Sequence, residues 1–200
     1  MVGWPHRVPG CSSAPRAGLG SWAGGDVIGV ELAAALLLAV AGGVKLSSRD
    51  AGRSALAAAR LPGAALPAKL VNRGAGILEL LVALGVIAFG GRAAGVLLVL
   101  SYGALAAVSA RMVALDRGQD CGCFGRPSPI SHWHTGLNVA AAVAGLVGVA
   151  VPARAWPDLL GQQPGIGLLA LVGAGVLAYL GYLLMTALPE LLAETAQVLR

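Results

Sequence analysis

The residues best suited to chemistry in this 200-residue chain are Asp120-Cys121-Gly122-Cys123-Phe124-Gly125, two thiols separated by one glycine. A disulfide between them would close a very small ring in which ideal bond geometry is hard to reach. Such a bond is expected to be readily reduced and therefore a good thiol oxidant. Gly122 lessens the backbone cost of closing it. Arg117 and Arg126 would favour the reactive thiolate, whereas Asp120 would oppose it. The plain alternative is a pair of reduced, inert cysteines in a loop. The third cysteine, Cys11, stands alone in a Gly/Pro/Ser-rich start and reads as incidental.

A second chemistry comes from spacing. Cys121 and Cys123 are followed by His132 and His134, so two sulfurs and two imidazoles fall within fourteen residues. Zinc or Cu(I) would accept that set. Against it, Cys-x-Cys and His-x-His place ligands closer together than common zinc spacings do, and a histidine beside Trp133 at a helix start is often just interfacial. Metal binding is therefore the alternative, and no metal site is assigned. A third possibility is a membrane subunit that scaffolds a partner without catalysis.

These groups need a frame, and the composition says what kind. Hydrophobic residues make up 57% of the chain and charged residues 12%, against about 25% charged in soluble domains. The chain is expected to be an all-α integral membrane protein. Five apolar runs can span: Val27 to Val44, Ala75 to about Gly90, Ala93 to Ala110, Thr135 to Val151 and Gly165 to Leu188. The second and third, joined at Gly90-Gly91-Arg92, are expected to form a helical hairpin. Residues 1–25 read as a disordered tail. Ser47 to Arg73, cut by Pro62 and Pro67, reads as a loop that lies along the interface, and 111–133 as the Cys loop.

Helix direction brings further residues to the end of the bundle that carries the Cys loop. Lys45 closes the first span, Glu79 opens the second and Asn138 opens the fourth, which places all three within about two turns of that face. An intramembrane carboxylate is costly and calls for an explanation. Glu79 is expected either to pair with Lys45 or to relay the proton that thiol exchange releases. Asn138 is expected to hydrogen-bond between helices, and Glu31 lies towards the opposite face.

The net charge of +5 does not indicate nucleic acid, because the basic residues sit in loops between apolar runs. Ten of the fourteen fall on the Cys-loop side: Lys45, Arg49, Arg53, Arg60, Lys69, Arg73, Arg111, Arg117, Arg126 and Arg200. The positive-inside rule then puts the cysteines in the cytoplasm. No dinucleotide-binding glycine pattern is present, so no soluble redox cofactor is expected, and nothing in the sequence decides for or against a quinone.

Three stretches carry a family likeness: Gly42-Gly43-Val44-Lys45-Leu46, Glu79-Leu80-Leu81 after the approach from Pro67, and above all Asp120 to Gly125, with Ser128-Pro129-Ile130-Ser131 and Asn138 in support. Over about Val27 to Val151 the chain resembles the methylamine utilisation protein MauE family, related in architecture to DoxX-like membrane proteins. The resemblance implies a four-helix membrane core over 26–152 with an additional transmembrane helix in 153–200. It also implies disulfide handling or electron transfer for exported proteins, as in maturation of methylamine dehydrogenase, by a thiol-disulfide oxidoreductase or its membrane accessory. It implies a thioredoxin-like partner and residence in a cell membrane, that of a bacterium. One departure is Leu137, where family members tend to carry arginine before the asparagine of the fourth span. An exported substrate would place the thiols outside, opposite to the charge count.

Overall fold

The computed structural model describes residues 20–47, 59–61, 65–115, 131–151 and 154–198. They form six helices: α1 (Gly20–Ser47), α2 (Ala68–Phe89), α3 (Gly91–Ala114), α4 (His132–Ala150), α5 (Trp156–Gln162) and α6 (Pro164–Val198). Five of them contain segments long and apolar enough to cross a bilayer. Large side chains such as Leu78, Leu81, Leu84 and Leu169 point outward from α2 and α6, as lipid-facing positions should, since hydrocarbon solvates leucine as well as protein does. The protein is an all-α, multi-pass integral membrane protein.

Several element boundaries differ from the sequence expectation. Helix α1 begins at Gly20, within the stretch read as a disordered tail. Helix α2 begins at Ala68, seven residues before the apolar run, because Pro67 opens it. The Pro67 carbonyl accepts the amides of Leu70 (2.9 Å) and Val71 (3.2 Å). A proline at a helix start sacrifices no hydrogen bond, since an amide there would lack an intrahelical partner. Helix α3 continues to Ala114, so Arg111 is helical and not part of the Cys loop. The short helix α5 was not anticipated, and α6 runs past Leu188 to Val198, a length of about 50 Å at 1.5 Å per residue.

The packing rests on small residues. Gly42 of α1 meets Gly76 of α2, where an added Cβ would come within 2.7 Å of a backbone oxygen. Gly95 of α3 meets Gly145 of α4 in the same way, at 2.6 Å. Close backbone approach gives the dispersion contacts that hold helices together in lipid. The most extensive contacts are accordingly α3 with α4 and α1 with α2. The expected hairpin of α2 and α3 is a tight turn, but its packing is smaller than either of these. Gly90 makes that turn with φ 58° and ψ −156°, and its Cα lies against the backbone of Ala155. Only glycine suits both requirements.

One core joins three helices: Ala34, Ala35 and Leu38 of α1 with Val82, Ala83 and Val86 of α2 and Ala94, Leu98 and Tyr102 of α3. Helix α6 covers another face of α1, where Leu32 and Ala33 pack with Ala174.

Candidate functional site

Asp120, Cys121 and Cys123 lie outside the described residues. The helix ends that carry their loop are described, and both are fixed. On the α3 side, Arg111 Nε donates to the Ala59 carbonyl (3.0 Å), and Ala59 is fully buried against Met112 with Leu61 and Val108 around it. The chain between α1 and α2 is thereby fastened to the end of α3. On the α4 side, Ser131 caps the helix: its amide donates to His134 Nδ1 at 3.3 Å, and its hydroxyl lies 3.1 Å from the same nitrogen. An accepting Nδ1 leaves the ring proton on Nε2. The buried His134 ring also engages the backbone of Met185 on α6. Across the two ends, Thr135 Oγ1 donates to Ser109 Oγ at 3.1 Å. The two helices that flank residues 116–130 in the sequence are thus bonded to each other and packed along their length.

Lys45 and Glu79 form an ion pair between α1 and α2, both largely buried. Because α2 starts at Ala68, Glu79 lies about three turns into the helix rather than at its mouth. The lysine reaches inward to meet it. One carboxylate oxygen is occupied; the other, Oε2, has no hydrogen-bond partner. Tyr102 is within electrostatic reach of Glu79 and donates its hydroxyl to the Ala34 carbonyl at 2.7 Å. Asn138 is buried one turn beyond His134.

The model of the family described as methylamine utilisation protein MauE matches residues 25–151. The chain belongs to the MauE family. The MauE match takes in α1 from its sixth residue, all of α2, α3 and α4, and the loop with Cys121 and Cys123; it ends before α5 and α6. Membership links this membrane protein to methylamine utilisation. Comparison with curated proteins found no match, nor did comparison with solved structures.

Within the MauE-matching part, His132 and His134 do not converge. His132 is exposed while His134 is buried and engaged with Ser131. Among the described residues, no three His, Cys, Asp or Glu side chains come together as a metal site would require. Glu31, at the far end of α1, is buried with its Oε1 unpartnered. Sequence reasoning missed Tyr102, Ser109, Thr135 and the tie made by Arg111. In the sequence Arg111 reads only as a topology charge at the start of the Cys loop. A tyrosine in the middle of an apolar run was the available signal for Tyr102, since a phenol hydroxyl in hydrocarbon needs an acceptor.

Proposed function

We propose that this MauE-family protein is a thiol-disulfide redox protein of the bacterial plasma membrane, in which Cys121 and Cys123 cycle between dithiol and disulfide with a thioredoxin-like partner. The observation that carries the reading is the Cys-Gly-Cys sequence in a loop whose flanking helices are tied by Thr135 and Ser109, because a reactive pair needs a fixed base from which to meet a partner. In one turnover, a thiolate of the pair attacks the partner's disulfide and releases one partner thiol. The second cysteine then attacks the mixed disulfide. The pair becomes oxidised, the partner becomes a dithiol, and two electrons and two protons change hands. The reverse direction uses the same steps. Family membership supports a role in disulfide maturation, as for methylamine dehydrogenase-type proteins.

In this reading, Lys45 and Glu79 tie α1 to α2 and so hold the frame; the depth of Glu79 favours that role over direct proton exchange with the loop. His134 holds the start of α4, the buried Asn138 supports the same helix from within the bundle, and Asp120 tunes its neighbour Cys121.

The test is labelling with a membrane-impermeant maleimide in a Cys11→Ser background, before and after reduction, together with capture of the partner by Cys123→Ser. Labelling that requires reduction, and a mixed disulfide that accumulates in Cys123→Ser, are the expected results. A Cys121→Ser, Cys123→Ser double variant that still supports maturation of the partner would reject the redox role and leave a scaffold.

A further inference from the structure

Glu31 is a carboxylate without a counterion. It lies on the first turn of the α1 span, is 4% exposed, and its Oε1 has no hydrogen-bond partner. Its position is not a consequence of loose packing. The oxygen lies where a side chain on Gly148 of α4 would be, 1.6 Å from the Cβ that any other residue would add there. A glycine opposite a buried carboxyl makes room for that carboxyl in particular.

The same side chain borders a small cavity of about 10 Å³, on the scale of a single water. Its wall is mostly aliphatic: Ile28 and Leu32 from α1, Val86 and Ile87 from α2. Gly90, with Arg154 and Trp156 in and just after the segment that precedes α5, completes it. Trp156 gives its indole N–H to the Gly167 carbonyl (3.1 Å), so it closes the wall without offering that donor to Glu31. Arg154 is exposed and donates to Gln162 Oε1 at 2.9 Å. It therefore brings the cavity to the surface at the end of the bundle opposite the Cys loop, and it is the one charged group besides Glu31 among the described residues that line it.

We propose that Glu31 is a proton-binding site that exchanges with the membrane face opposite the Cys loop, through the cavity bordered by Arg154 and Trp156. A metal cation is the wrong ligand for this place. Hard cations gather six or more oxygens, whereas the lining supplies one carboxyl group, an aliphatic wall and a guanidinium that repels positive charge. A proton needs one oxygen and removes the cost of an unpaired charge in an apolar surround. Water in the cavity supplies the proton and takes it away.

The test uses the full chain in lipid vesicles. Dicyclohexylcarbodiimide, an apolar reagent that attacks protonated carboxyls, should form an adduct on Glu31, mapped by peptide mass spectrometry, and the rate should fall as the medium is made alkaline. Glu79, paired with Lys45, should remain unmodified. The infrared spectrum of the folded protein should show a protonated-carboxyl band that shifts in heavy water and is lost in Glu31→Gln. Absence of both the adduct and the band in the wild-type protein overturns the proposal, as does an adduct that falls on Glu79 instead. The mapping requires no variant, so a poorly folding Glu31→Gln would not blunt it. Both readouts are independent of the cysteines, so failure here leaves the thiol reading untouched and the converse also holds.

Discussion

Lys45 and Glu79 behave as one unit, and each is a liability without the other. Lys45→Met strands a carboxylate whose second oxygen already has no partner, and removal of one member of a buried pair costs about 3–5 kcal/mol. Unfolding of the single variant in detergent should show that loss. The double variant Lys45→Met, Glu79→Leu should recover most of it, since apolar pairs of similar size replace buried ion pairs at little cost. A double variant as unstable as the single one would mean that the charge does more than join two helices. The pair was visible in the sequence as two intramembrane charges near one face. Its depth was not, because the start of α2 at Pro67 is set by backbone chemistry that the hydropathy of Ala75 onward does not report. The ring orientation of His134 was equally hidden: it depends on a cap at Ser131 and on Met185, fifty-one residues later.

At the scale of helices, three glycine contacts look alike in sequence and should differ in energy. Gly95→Ala would drive a methyl into the Gly145 backbone, and Gly42→Ala would do the same at Gly76. Backbones cannot step aside cheaply, so each should destabilise by roughly 1–3 kcal/mol. Gly148→Ala meets the flexible end of Glu31 instead. Its stability should change by less than about 1 kcal/mol, while the carboxyl is displaced. Thermal or denaturant unfolding of the three variants in one detergent ranks them directly; an equal loss at all three would contradict the distinction. The spacing of Ala141, Gly145 and of Ala144, Gly148 announced tight packing but not its partners. Those depend on which helix lies opposite, and hydrophobic periodicity carries little of that information in a membrane, where every face is apolar.

For the molecule as a whole, five spans put the two ends of each helix on opposite sides, and that can be measured without reference to function. In a cysteine-free background, Lys69→Cys and Arg92→Cys sit exposed at opposite ends of α2 and just past it. Impermeant maleimide should reach one in intact cells and the other only in opened membranes, and Lys69→Cys reports the side that bears the Cys loop. Labelling of both from one side would refute the five-span arrangement. The all-helical class and the number of spans were legible from composition and run length alone, because bilayer thickness fixes both. The joint between α6 and α1 was not, since it links the first and last of the described helices, far apart in sequence. That joint bears on biogenesis. The glycine contacts of α1 with α2, and of α3 with α4, each unite neighbours in sequence and can close as soon as the second member leaves the ribosome. Leu32 and Ala33, by contrast, wait for Ala174. Among the described helices, α1 is thus paired early but fully enclosed only once α6 has been added, so closure of the bundle waits on a helix that lies beyond the MauE-matching part.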